Sequence, residues 1–213
     1  ALPADAPWTC EVPWGAVQRP IPDNDRATQT WMDVSNDQWG LSVLNNGRYG
    51  HSRRADGTMT LTLLRTTVAH KSQDQSDEGR HEFTYALLPH KGNWTEAATV
   101  REAHMLNAPI ITTREIPHEG ARPDTHSMIR IGAPNIVLAA LKKAEDNDDW
   151  VLHLYETTGA ATDVTITFDR PVVEAYDTDL MEWNRGVRLN MEGGTVRRSF
   201  RPWEIAGIRI RLG

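Results

Sequence analysis

Apolar and polar residues alternate along much of the chain. Val164, Ile166 and Phe168 fall on one side of an extended segment, with Thr165 and Thr167 on the other. Ile208, Ile210 and Leu212 alternate in the same way with Arg209 and Arg211. Period two is the signature of a strand that buries one face and wets the other. Trp39 to Leu44, Met59 to Leu64, His81 to Leu88, Ile136 to Leu141 and Trp150 to Tyr155 are rich in β-branched or aromatic residues between turn formers, and are predicted strands as well. Helical spacing occurs once, from Thr95 to Leu106: Thr95 can cap, Ala97, Val100 and His104 share a face, and Asn107-Ala108-Pro109 ends the run. Asn46-Gly47 suits a tight hairpin, while Glu145 to Asp149 and Glu192-Gly193-Gly194 suit reversals between alternating runs. Repeated strand-helix units are missing, which argues against a parallel doubly wound sheet. The predicted fold is all-β, an antiparallel β-sandwich with one short helix. Residues 1–8 read as a proline-bearing linker remnant and residues 9–213 as a single domain. Thr66 to Gly79 and Thr112 to His126 carry little periodicity, and loops of that length usually serve function or an interface.

Charge and cysteine usage narrow the function. The 213 residues carry a net charge of -6, with acidic and basic side chains interspersed, so no basic face is offered to nucleic acid and no polybasic anchor to a membrane. No apolar run has the length needed to span a bilayer. Cys10 is the only cysteine, which excludes an intrachain disulfide and a thiolate metal cluster and fits the cytoplasm.

Candidate chemistry is sparse. Hydrolysis of a glycosidic bond needs two flanking carboxyl groups. The acidic clusters Asp23 with Asp25, Asp146 with Asp148 and Asp149, and Asp177 with Asp179 fall instead between alternating runs, where solvation and turn hydrogen bonds favour them. Asp74, Asp77 and His81 come nearest to a metal-ligand spacing; strand parity would place His81 beside Phe83, Tyr85 and Leu87, as a rim histidine bonded to a loop carboxylate. His90 ends the same run and is read alike. No Gly-x-Ser-x-Gly elbow is present, and Cys10 has no histidine near it in sequence. Trp31, Trp39, Trp150 and Trp203, in or beside strand runs, are expected in the core. Trp94 and Trp183, in less regular stretches, are better placed to stack on sugar.

One string is more specific than these patterns. Asp77-Glu78-Gly79-Arg80-His81-Glu82-Phe83-Thr84-Tyr85-Ala86-Leu87-Leu88-Pro89-His90 resembles a signature segment of the carboxy-terminal region of family-38 α-mannosidases. Val12-Pro13-Trp14-Gly15, Trp39-Gly40 leading to Arg48-Tyr49-Gly50, Leu61 to Arg65, Leu106-Asn107-Ala108-Pro109, Val137 to Glu145 and Asp179-Leu180-Met181-Glu182 resemble family segments in the same order. The resemblance implies packed antiparallel sheets, a sandwich left incomplete without earlier strands, and no catalytic residue or cofactor in this chain. It implies zinc for the parent enzyme, a zinc-dependent retaining α-mannosidase whose metal ligands and nucleophilic aspartate lie in an amino-terminal catalytic domain. That domain is then the partner, and a mannoside the substrate. His51, where the family often has an aromatic, departs from the pattern. Tyr49, Arg65, Asp77, His81 and His90 are the residues expected at or near the interdomain cleft, in substrate-binding or positioning roles. The alternative is a stand-alone carbohydrate-binding module using Trp94 and Trp183, and a third reading is a purely structural interface domain.

Overall fold

A computed structural model describes residues 6, 8–21, 23–65, 77–121 and 123–213. The chain divides into two compact units, residues 1–111 and 112–213, where alternation alone suggested one domain. Each unit is an antiparallel sandwich with its own core, as the strand pattern predicts.

In the first unit, β1 (Trp8–Val12), β2 (Gly15–Arg19), β4 (Trp31–Ser35), β5 (Trp39–Asn45) and β8 (Tyr85–Lys91) form a five-stranded sheet in the order β2-β1-β4-β5-β8. β3 (Asp23–Ala27), β6 (Gly50–Arg53) and β7 (Met59–Thr62) form a smaller sheet in the order β3-β6-β7. Alternation decides which side of the large sheet each residue faces. Trp8, Cys10, Met32, Val34 and Val43 pack with Met59 and Leu61 on one side. On the other side, Trp31 and Leu44 pack with α1 (Thr99–Asn107), through Ala103, Val100 and Leu106. Ala6 and Trp8, expected in a linker, are buried, and Trp8 Nε1 donates to the Pro20 carbonyl at 2.8 Å. The other linker positions, and residues 66–76 of the first aperiodic stretch with Asp74, lie outside the described residues.

Three local expectations change. The helix starts at Thr99 rather than Thr95, because Asn93 Oδ1 accepts from the Thr95 amide, the Thr95 hydroxyl and the Glu96 amide, closing a separate turn. Ala98, at φ 55, then breaks the turn from the helix. Its buried residues are consequently Thr99 and Ala103, one position off the predicted face. Asn46-Gly47 does not close a hairpin: β5 belongs to the large sheet and β6 to the small one, so the chain arches between layers. Asn45 Oδ1 fixes that arch by accepting from the Gly47 and Arg48 amides at 2.9 and 2.7 Å. β8 begins at Tyr85, which leaves His81 outside the strand.

The second unit comprises β9 (Ile129–Ile131), β10 (Ile136–Lys143), β11 (Trp150–Glu156), β12 (Thr162–Phe168), β13 (Val172–Thr178), β14 (Arg185–Arg188), β15 (Asn190–Glu192), β16 (Thr195–Phe200) and β17 (Ile205–Leu212). Its sheets run β10-β11-β17-β13-β14 and β15-β16-β12-β9. Val164, Ile166 and Phe168 share the core with Ile208 and Ile210, as their alternation predicts. Gly193, at φ 57, turns β15 into β16. Arg209 departs from the wet-face expectation. It is buried in a central strand, its Nε donating to Asp149 Oδ2 at 3.0 Å and its Nη2 to Asp146. Asp149 is therefore no solvated turn carboxylate, and neither is Asp177, which accepts from Arg198 Nε at 2.8 Å. The second aperiodic stretch follows the boundary between the units, and its described residues form no helix or strand.

Candidate functional site

A buried polar cluster of the first unit lies between the large sheet and α1. Asp33 stands between Met32 and Val34 on β4, and alternation turns its carboxylate to the helix side. It is 1% exposed. A lone buried carboxylate would be costly, and three side chains answer it. Ser42 donates its hydroxyl to Asp33 Oδ2 at 2.7 Å, Ser35 donates to Oδ1, and His90 Nε2 lies 2.7 Å from Oδ2. Thr99 on α1 completes the cluster, its hydroxyl 2.8 Å from that of Ser42. His90 Nδ1 lies 3.1 Å from the Gly92 carbonyl, so both ring nitrogens are occupied.

Asp33, His90 and Ser42 share residue types with a hydrolytic triad, but their arrangement is structural. Ser42 gives its proton to the carboxylate, is 3.3 Å from His90 Nε2, and is fully buried, so no substrate reaches it. The cluster clamps three strands and the helix instead. His90 and Asp33 are on β8 and β4, with β5 between them. The imidazole crosses β5 at Gly40, directly paired with both Ser35 and His90. A Cβ on Gly40 would run into Ser35 Cβ and the His90 ring. Gly40→Ala is therefore expected to displace the imidazole and destabilise the first unit by about 2 kcal/mol, read as a lower denaturation midpoint. An unchanged midpoint would show that the bridge is dispensable.

The other expected site residues fall in three places. Tyr49 is at the arch, exposed, its carbonyl accepting from the Thr28 amide at 2.9 Å. The arch meets the signature segment: Asn46 Oδ1 accepts from the Thr84 amide at 2.9 Å, and Arg48 stacks 4.9 Å from the Phe83 ring centroid. Within that segment His81 donates from Nε2 to the Asp77 backbone carbonyl at 2.7 Å, rather than to a carboxylate, and both residues are exposed. Arg65 is elsewhere, lining an open groove with Asp25, Arg26 and Arg54. His90 is committed beneath α1. Among the described residues no three His, Cys, Asp or Glu side chains are grouped to hold a metal.

The tryptophans are redistributed too. Trp94 packs on Trp31, ring centroids 4.9 Å apart, and so belongs to the core under α1 rather than to a sugar surface. Trp39 and Trp203, expected in the core, are exposed. Trp183 is 79% exposed on the β13–β14 turn. That turn is held by Asp179, whose Oδ1 accepts from the Met181 and Trp183 amides, each at 3.0 Å.

One surface of the first unit departs from ordinary sandwich design. Tyr85 and Leu87 on β8 are paired with Asn45 and Val43, so they stand on the face that elsewhere forms the core between the two sheets. They are nevertheless 54% and 61% exposed, and Trp39 on β5 faces the same way. β8 is an edge strand of its sheet. The core face of the large sheet thus extends past its cover.

Both units have counterparts among known proteins. Residues 4–74 match the model of the glycosyl hydrolases family 38 C-terminal domain, and residues 135–208 that of the family 38 C-terminal beta sandwich domain. Alpha-mannosidase 2C1 of Mus musculus is 36% identical over 96% of this chain and 20% of its own length. Alpha-mannosidase G of Dictyostelium discoideum is 32% identical over 94% of the chain and 19% of its own length. The crystal structure of an alpha-mannosidase from Enterococcus faecalis V583 superposes with a TM-score of 0.78 at 20% identity, over 99% of this chain and 25% of that one, a likeness of fold. The chain spans about a fifth of the length of the curated relatives it matches. Two family models, on two sandwiches whose strands they largely cover, together with these relatives leave one assignment: the chain belongs to glycosyl hydrolase family 38, as its carboxy-terminal β-sandwich portion.

Proposed function

We propose that this chain is the non-catalytic carboxy-terminal scaffold of a cytoplasmic, zinc-dependent, retaining α-mannosidase, and that it lines one wall of the mannoside cleft. The observation that supports it is the uncovered core face at Tyr85 and Leu87. Burying two such side chains against another layer stabilises by roughly 2 kcal/mol each, and the relatives are about five times longer than the stretch matched here. The remainder of such a polypeptide is the natural cover. The arch carrying Tyr49 and the segment carrying Asp77 and His81 are tied to one another by the Asn46–Thr84 and Arg48–Phe83 contacts, and would meet that remainder as a unit. Arg65, on the groove with Asp25 and Arg54, is assigned a separate contact with it. His90 acts through the fold, by holding β8 to β4.

In this reading the metal and the attacking aspartate belong to the amino-terminal domain. The competing reading, a stand-alone carbohydrate-binding module, keeps Trp183 and loses Trp94 to the core.

The test compares the chain, the longer polypeptide that carries it, and that polypeptide with Leu87→Glu, on an aryl α-mannoside with and without chelator. Turnover is expected only from the longer protein, abolished by chelator, and lowered together with melting temperature by Leu87→Glu. Chelator-sensitive turnover by the pure chain, or a Leu87→Glu protein indistinguishable from its parent, would overturn the assignment.

A further inference from the structure

The second unit contains an open groove of about 610 Å³, lined from β12, β13, β14, β16 and the β14–β15 crossing. Its floor is a ladder on the outer face of the four-stranded sheet. Thr165, Arg197 and Asn190 are direct cross-strand neighbours, and Asp163 pairs with Ser199 one step along. Val164, between Asp163 and Thr165, and Val196, next to Arg197, point into the core, which fixes the ladder outward. The opposite wall brings Val187 and Arg188 from β14.

Two features distinguish this groove from an ordinary solvated sheet face. Six of the ten described arginines of the unit are ion-paired: Arg170 with Asp169, Arg185 and Arg211 with Glu174, Arg198 with Asp177 and Glu204, Arg201 with Glu204, and Arg209 with Asp146 and Asp149. Among the described residues, Arg114, Arg130, Arg188 and Arg197 have no such carboxylate, and of these Arg188 and Arg197 line the groove. The third guanidinium, Arg198, is locked: Asp177 and Glu204 hold it at 2.8 and 3.1 Å, and it lies 4.3 Å from the Phe200 ring centroid. Free donors and acceptors thus line one concavity, with the locked Arg198 also in its lining.

Ligand class follows from the mixture. A phosphate or sulfate would meet the carboxylate of Asp163 beside Arg197, a repulsive neighbour for an anion. Sugar hydroxyls each donate and accept. A planar guanidinium can serve two of them, while Thr165 and Asn190, one strand to either side of Arg197 at roughly 4.8 Å, and Asp163, two residues along β12, offer acceptors. Val187, exposed on the wall, supplies apolar contact for the C–H face of a pyranose. We infer that this groove binds a neutral oligosaccharide, with Arg197 and Asn190 as its central hydrogen-bonding pair and Arg188 closing from β14. The inference goes beyond the scaffold role and does not depend on how the first unit is covered.

Saturation-transfer NMR on the full chain with α-mannotriose tests it, with inorganic phosphate as competitor. Transfer to the trisaccharide is expected, falling roughly five-fold or more in Arg197→Ala with Asn190→Ala, the loss expected when two hydrogen-bonding side chains that hold the sugar are removed. Both side chains are exposed, so the melting temperature should stay put. Arg54→Ala, in the groove of the first unit, should leave the signal unchanged. Four results would overturn the proposal: absence of transfer, transfer indifferent to the double variant, displacement by phosphate, or loss confined to Trp183→Ala.

Discussion

Replacing Glu156 by alanine is expected to be the most damaging single substitution in the second unit, lowering its stability by on the order of 4 kcal/mol. The side chain ends β11 fully buried and accepts from six donors: Asn135 Nδ2 at 2.9 Å, the Thr158 amide and hydroxyl at 2.7 and 2.6 Å, and the amides of Gly159, Ala160 and Trp203 at 2.7, 3.2 and 3.0 Å. One carboxylate therefore ties the β11–β12 turn to the turn before β17. Burial pushes its pKa up, but the bonds from Thr158, Trp203 and Asn135 outweigh that and hold it below the usual carboxylate range. A depressed folded-state pKa means the stabilisation is present above the unfolded value of roughly 4.3 and is lost as pH falls through the folded one. Glu156→Gln keeps the shape and one acceptor oxygen, yet sets an amide against amide donors, so an intermediate loss is expected. Urea titration of all three proteins checks this; an alanine variant within about 1 kcal/mol of the parent would mean that water replaces the carboxylate at little cost.

Acid should weaken the first unit through His51. The imidazole is fully buried on β6, with Nδ1 bonded to the Thr28 hydroxyl, and burial drives its pKa down to about 4, against smaller upward pulls from the Tyr49 backbone and Asp25. The unfolded chain, at roughly 6.5, takes up a proton that the folded chain refuses. The stabilisation is complete above that unfolded value and is lost as pH falls toward the folded one, amounting to on the order of 3 kcal/mol. Other groups titrate in the same window, so the informative quantity is a difference. His51→Gln, neutral and still able to accept from Thr28, should flatten the stability profile between about pH 6.5 and 4 relative to the parent. Parallel profiles would show that the imidazole charges in place.

The residues that alternation places correctly are those whose strand has one dry face. Val164, Ile166 and Phe168 are such a set, and the threonines between them are exposed. Arg209 defeats the same logic because β17 is central to its sheet, and whether an acidic turn will fold over a strand is not encoded in that strand. Asn46-Gly47 reads locally as a hairpin, since turn chemistry specifies how sharply the chain reverses but not which layer the next strand joins. Residues 9–213 read as one domain because each sandwich repeats the same period and the boundary carries no compositional break. The Asp33 cluster could have been suspected from a single signal, an aspartate between Met32 and Val34 in a run that otherwise reads as core. Its partners at 35, 42, 90 and 99 are brought together only by the register of β4, β5 and β8 and by the docking of α1. His90 stands out in the sequence by its residue type, but the contact that occupies it is a carboxylate 57 positions away.

The crossing of the imidazole over β5 binds two distant positions into one unit of inheritance. So long as His90 spans to Asp33, position 40 is closed to every side chain, because the atoms in the way are the bridge itself and Ser35. A lineage that loses the histidine frees position 40 to drift toward larger residues, whereas one that first acquires a side chain there must surrender the bridge before another substitution can repair it. Glycine at 40 and histidine at 90 should therefore be found together or absent together across divergent relatives, and a chain carrying one without the other marks an ancestor in which β8 was held by other means.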